Sequence, residues 1–225
     1  MDFSALGERA ASSALRPVLD RECQADADIF AYDYAKMDQS VLENWVCLKA
    51  HIEEVRLLTK SKLINLHLTM GMKGGRHEIA TVKPYQVGRV NRDPEKQARV
   101  WELRHLMANY VTDVVHAIPW LHQEADDGMV QYQTKLIKGK GVQASIIYSQ
   151  DKDLWMAQGL HCTPRSSEFH LVDGFGNCAY EEVGNTKPKL VGKGPCWFWH
   201  QMIMGDKADD IPGLPMLSGR LAERY

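Results

Sequence analysis

The chain has 225 residues, of which 44% are hydrophobic and 25% charged, with a formal net charge of −2. This is the composition of one large globular domain, or of one domain with an appendage, and the near-neutral balance excludes binding to nucleic acid by bulk charge alone. No apolar run reaches membrane-spanning length, the N-terminus lacks the apolar core of a signal peptide, and five scattered cysteines without a CxxC fit a reducing compartment, so the chain reads as cytoplasmic.

Residues 1–21 are polar and Ala/Ser-rich, and read as an N-terminal extension with one short helix broken by Pro17. In CQADADIFAYDYA, residues 23–35, Asp26 and Asp28 precede Ile29, Phe30 and Tyr32. That pattern fits a first strand turning into a helix, and equally an acidic loop. From Ser40 to Leu58 the residues Trp45, Leu48, Ile52 and Val55 recur at helical spacing, and Ser40 with Glu43 has capping-box spacing. LINLHLT, Leu63 to Thr69, reads as a buried strand with His67 as a satisfied core histidine, and a Gly-rich turn follows over Met70 to Gly75.

Residues 76–104 are the basic part of the chain, with Arg76, Lys83, Arg89, Arg92, Lys96, Arg99 and Arg104 around Tyr85. Basic side chains interleaved with an aromatic suit a phosphate backbone, though a solvated mixed-charge helix has the same look. From Pro94 the spacing of Leu103, Met107, Tyr110, Val111 and Val114 predicts a helix running to a short strand at Val114–Ala117.

QEADDGMVQYQ places Glu124, Asp126 and Asp127 in the first turn of a helix, where the macrodipole favours acids. Three acids in four residues exceed what capping needs, and a bound divalent ion explains the crowding. KGKG near residue 140 lacks the spacing of a phosphate-binding P-loop. In ASIIYSQDKDL, Ala144 to Leu154, an apolar run ends in Asp151 and Asp153. It reads as a buried parallel strand stopping where α/β sheets bind ligands, and two unpaired carboxylates there call for a cation; taken alone they are also ordinary loop acids.

His170 to Tyr180 looks like a β-hairpin turning at Gly174 and Gly176. The spacing of His161, Cys162, Cys178, Cys196 and His200 matches no zinc pattern. Trp197 to Met204 is an apolar helix that runs into GDKADDIPGLP, where a helical turn would put Asp206 and Asp209 on one face. Ser218 to Tyr225 begins another helix.

Together these stretches resemble the 5′-nuclease (flap-endonuclease-like) superfamily, in particular the phage 5′→3′ exonucleases and the 5′-nuclease domain of bacterial DNA polymerase I. DAD at Asp26–Asp28 looks like the family's first-strand aspartate, and EADD at Glu124–Asp127 like its central acidic motif. SQDKDL at Ser149–Leu154 is similar to S-x-D-K-D-L, and GDKADDIPG at Gly205–Gly213 to the GDxxDNIPG that opens the family's helix–turn–helix clamp on duplex DNA. The resemblance implies an α/β fold, a mostly parallel central sheet flanked by helices, with a basic arch over 71–104 and a partial clamp over 205–225 following a catalytic domain over 22–204.

The resemblance also implies two ions, Mg²⁺ or Mn²⁺. Asp26, Glu124 and Asp126 would hold one; Asp151, Asp153, Asp206 and Asp209 the other; Asp127 would lie close to both. Arg76 and Arg89 match basic positions of the family's arch, and Lys83 would stand in for a catalytic lysine replaced here by Gln86. Tyr85, Gln86, Arg92 and Gly213 would meet DNA. Relatives often carry an aspartate after the second strand, where this chain has Leu68-Thr69-Met70-Gly71. The implied protein is a monomer that hydrolyses 5′ ends or flaps of DNA, or RNA–DNA hybrids, in the cytoplasm, a host's if it is phage-encoded. The competing expectation is a structure-specific DNA-binding protein with little or no cleavage.

Overall fold

The computed structural model describes residues 20–71, 93–181, 189–206 and 211–214. They form two compact units. One runs to Gln150 and resumes over Gly159–Leu171; the second takes Asp151–Gln158 and the chain from Val172.

The first unit is built on a six-stranded sheet in the order β3–β2–β1–β4–β5–β6. Its strands are β1 (Glu22–Asp26), β2 (Leu63–Thr69), β3 (Val115–Trp120), β4 (Ser145–Tyr148), β5 (Gly159–Thr163) and β6 (Glu168–Val172). The pairs β1–β2, β1–β4, β2–β3 and β4–β5 are all parallel. The helices are α1 (Ala27–Tyr34), α2 (Val41–Leu58), α3 (Pro94–Ala108) and α4 (Ala125–Lys140). This is the expected mostly parallel α/β architecture. The chain moves outward from β1 to β2 and β3, then returns to the other side of β1 for β4, so the gap between β1 and β4 is the switch point at which such sheets bind ligands.

Local signals explain the boundaries. Asp26 ends β1 and caps α1, its side chain accepting the N–H of Ile29. Ser40 and Glu43 form both bonds of the expected capping box at α2. Pro94 opens α3 in its first turn, behind an Asp93 cap. Glycine at the α4 C-cap takes φ 91°, which ends the helix inside the KGKG stretch.

The two faces of the sheet differ. On one, Cys23, Ala25, Ile64, Leu66, Leu68, Ile146 and Tyr148 pack with Leu48, Ile52 and Val55 of α2 and Leu103 and Met107 of α3 into one apolar core. On the other, which α4 covers, the buried strand residues besides Ile147 are polar, among them Gln24, Asn65, His67, Thr69 and Ser145. They satisfy one another. The indole N–H of Trp120 donates to His67 Nδ1 at 3.0 Å, so the imidazole carries its proton on Nε2 and donates to Gln24 Oε1 at 2.9 Å. Gln24 Oε1 also accepts from Asn65, and its amide donates to Ser145 Oγ. Tyr132 of α4 closes edge-on over both His67 and Trp120. His67 is thus the satisfied core histidine expected of it.

Burial without a charged neighbour pushes His67 down to about 3. An unfolded chain takes up that proton near pH 6.5 and the folded chain does not. Stability from this site is therefore complete above about pH 6.5 and declines as pH falls towards 3, by up to about 1.4 kcal/mol per pH unit. Urea unfolding of the wild type and of His67→Gln between pH 4 and 7 should differ in slope by one proton. Equal slopes would mean that His67 is protonated inside the fold.

The second unit contains the antiparallel pair β7 (Asn177–Glu181) and β8 (Lys189–Lys193), then α5 (Gly194–Met204). Two expectations are corrected here. The turn at Gly174 and Gly176 forms, with φ 57° and 75°, but no hairpin spans it: β6 belongs to the six-stranded sheet and β7 pairs with β8. A glycine turn encodes the reversal, and ladder partners are chosen by packing further along the chain. Likewise Asp206 is extended, not helical. Gly205–Asp206 (β9) pairs antiparallel with Ile211–Pro212 (β10), Ile211 opposite Asp206. Gly205 at φ 77° breaks α5 and lets the chain leave in extended form. Among the described residues no helix is long and apolar enough to cross a membrane.

Candidate functional site

The acids expected as ligands fall into sets that the fold treats separately. In the first unit, Asp26 stands at the carboxyl end of the central strand and is 8% exposed. One carboxylate oxygen accepts Ile29 N–H at 3.1 Å, and the other accepts the Ser149 hydroxyl at 3.2 Å across the switch point. Burial pushes the Asp26 carboxyl up to about 7, reinforced by Asp28 and Asp126 and opposed by these two hydrogen bonds. Asp26 and Asp126, about a hundred residues apart in sequence, are thus electrostatic neighbours. Glu124 is the N-cap of α4, with Asp126 and Asp127 in its first turn. Asp126 accepts the N–H of Asp127 at 2.9 Å. The helix start expected for these acids is the one observed.

Asp28 was no expected ligand, yet it is central to this corner. Its two oxygens accept Thr69 N–H, each at 3.2 Å, and it pairs with Arg104 of α3 at 3.0 Å. It therefore reaches the end of β2, the place where Met70 leaves the chain without an acid. The signal available in sequence was DAD itself, in which the second acid has the reach of a helix's first turn. Ser149 was quoted only as the first letter of SQDKDL, and its bond to Asp26 gives that letter a role.

In the second unit, Asp151 caps a 3₁₀ turn over Lys152–Met156 and accepts the N–H of Asp153 at 2.9 Å. Asp153 in turn accepts from Gln201 of α5 at 3.4 Å, with Lys152 at 3.9 Å. Both acids thus share one turn a few residues after the end of β4. Asp206 is described in its backbone alone. Gly213 lies against the backbone of Met204, where a Cβ would come within 2.4 Å of the carbonyl, so close chain approach by itself requires glycine there. Arg76, Lys83, Tyr85, Gln86, Arg89, Arg92 and Asp209 lie outside the described residues.

The donors fit a hard divalent cation in kind: carboxylate oxygens, crowded enough at Asp26 for a neighbouring charge to oppose ionisation. Among the described residues, no three His, Cys, Asp or Glu side chains are already drawn around one point as a closed cage. The carboxylates of Asp26, Asp126 and Asp151 turn instead to backbone N–H groups beside them.

Structural comparison decides the fold. A bacteriophage T5 protein co-crystallised with metal ions superposes with a TM-score of 0.64 at 15% identity, covering 91% of this chain and 72% of that one. The chain shares the α/β fold of this T5 protein. A T5 flap endonuclease in a pseudo-enzyme–product complex with DNA and metal ions matches with a TM-score of 0.62 at 14% identity, over 91% of this chain and 72% of that one. Another solved match is a mutant T5 5′-exonuclease, with a TM-score of 0.54 at 14% identity. A curated 5′-3′ exonuclease of Buchnera aphidicola subsp. Baizongia pistaciae is 26% identical over 148 residues, which is 62% of this chain and 42% of the relative. The chain therefore spans about two fifths of that relative's length. No protein-family model matches the chain. Within this shared fold, β1 to β4 and α4 form the frame that carries Asp26, Glu124, Asp126 and Asp127.

Proposed function

We propose that this chain is a metal-dependent 5′ nuclease that hydrolyses phosphodiester bonds at the 5′ ends or flaps of DNA. What carries the reading is Asp26: a buried carboxylate at the switch point, crowded by Asp28 and Asp126, in a fold shared with T5 flap endonuclease structures. In this reading Asp26, Glu124 and Asp126 hold one Mg²⁺ or Mn²⁺. Asp151, Asp153, Asp206 and Asp209 hold the other, and Asp127 lies close to both ions. Such ions, when bound, supply an activated water and charge neutralisation at both the attacking and leaving oxygens.

The chain's own residues bind, orient and steer. The Ile29 N–H and the Ser149 hydroxyl fix the direction in which Asp26 presents its oxygens. The Asp151 cap holds the turn that carries Asp153, and Gln201 orients the Asp153 carboxylate. Arg76, Lys83 and Arg89 are assigned to the phosphate, and Tyr85, Gln86, Arg92 and Gly213 to the DNA strand, with RNA–DNA hybrids as a further substrate.

The test is gel cleavage of a 5′-labelled flap. Products should appear with Mg²⁺ or Mn²⁺ and vanish in EDTA; full cleavage in EDTA would refute the reading. One observation favours a second reading, in which the protein binds structured DNA and hardly cuts it: Asp28, the acid that reaches the end of β2, is tied to Arg104 and Thr69. Flap retained in Ca²⁺ but uncut in Mg²⁺ and Mn²⁺ would establish that alternative.

A further inference from the structure

Thr69 closes β2 and makes two contacts that meet at the acids. Its hydroxyl oxygen accepts the N–H of Ala125 at 2.9 Å. Its own N–H donates to Asp28. Ala125 is the first residue of α4, between Glu124 and Asp126, and Asp28 lies in the first turn of α1, two residues beyond Asp26. The first N–H groups of a helix have no acceptor within it, and at α4 the N-cap Glu124 supplies no side-chain cap bond. Thr69, 5% exposed, fills that role from a neighbouring strand.

A second contact fixes the same helix one turn later. The Trp120 indole lies so close to Gly128 that a Cβ there would stand 2.2 Å from the ring, and its N–H is held by His67, two residues before Thr69. The end of β2 therefore grips α4 twice and α1 once.

We infer that Thr69 is a positioning residue: its hydroxyl sets the start of α4, and with it Glu124, Asp126 and Asp127, against Asp26 for a divalent cation. The inference rests on the metal-dependent reading above. It extends that reading to a side chain that touches neither ion nor substrate and acts through Ala125. The hydroxyl is the operative group, because β-branched packing alone offers the Ala125 N–H no acceptor.

The experiment compares wild type, Thr69→Val and Thr69→Ser, with Mn²⁺ binding measured calorimetrically without DNA, melting in EDTA, and the Mn²⁺ concentration giving half-maximal flap cleavage. Loss of an outer-shell partner typically weakens metal affinity about 10–100-fold. Thr69→Val should show such a loss and a matching rise in the Mn²⁺ required, while Thr69→Ser keeps wild-type values. Should the valine variant fail to fold, Thr69→Ala, which leaves room for a water at the Ala125 N–H, takes its place, and a loss that Thr69→Ser escapes is again required. Wild-type affinity in the hydroxyl-free variant, or an equal loss in Thr69→Ser, overturns the inference and leaves the nuclease reading intact. A wild type that binds no Mn²⁺ overturns the nuclease reading itself.

Discussion

Asp26→Asn should abolish most cleavage while leaving the protein folded, at least as stable as wild type in EDTA above neutral pH. The substitution preserves the local bonds. Asparagine is as good an N-cap as aspartate for the Ile29 N–H, and the Ser149 hydroxyl can rotate to accept where it formerly donated. What disappears is the charge. Cleavage should fall by at least about 10–100-fold, since a proposed ligand should count for no less than the outer-shell partners whose loss costs that much.

The stability effect has a definite sign. Burial lifts the folded carboxyl from the ordinary aspartate value of 3.8 to about 7, so the unfolded chain gives up its proton first. Stability from this group is present below about pH 4 and is lost as pH rises through 7. Asparagine removes that loss, which is at most on the order of a few kcal/mol. Parallel melts at pH 8 in EDTA and single-turnover flap assays test both halves. Normal cleavage would remove Asp26 from the site; a large drop in melting temperature would show that its role is structural.

The second large effect is expected at the opposite end of the strands. Arg21 is fully buried just before β1. Its guanidinium donates to Gln143 O at 2.9 Å, Thr59 O at 3.1 Å and Gln143 Oε1 at 3.1 Å, tying together the loops that lead into β2 and β4. Arg21→Leu strands these acceptors without a donor and should cost about 3–5 kcal/mol, comparable to breaking a buried polar pair. That is a large part of the 5–15 kcal/mol that typically holds a domain together. Urea denaturation measures it, and cleavage per folded molecule at low temperature should be unchanged. A loss under about 1 kcal/mol would mean that water replaces the guanidinium.

The sequence was most legible where local chemistry decides the outcome. The Ser40–Glu43 box, Pro94 and the acids before Met129 each mark a helix start by a bond or a dipole within a few residues. LINLHLT was legible as a strand, but its alternation hid a second buried face. Asn65, His67 and Thr69 find partners 41 to 56 residues away, at Gln24, Asp28, Trp120 and Ala125, and no local pattern announces those distances. For the same reason Asp26 and Asp126 were proposed as neighbours through family resemblance and not through spacing. The hairpin expected around Gly174 failed because turn chemistry specifies a reversal without naming the strand that pairs beyond it.

The placement of β1 at the centre of the sheet has a kinetic consequence. Its pairing with β2 closes about forty residues, but its pairing with β4 brings Glu22 against Ser145. Loops of that length close late and slow the search for the native pairing. During synthesis the β1–β2–β3 half can condense while β4 is still inside the ribosome, since chains fold from the N-terminus as they emerge. Asp26 meets Ser149, 123 positions away, only after β4 docks. A nascent chain can thus carry half a sheet for several seconds before its central carboxylate has been given a direction.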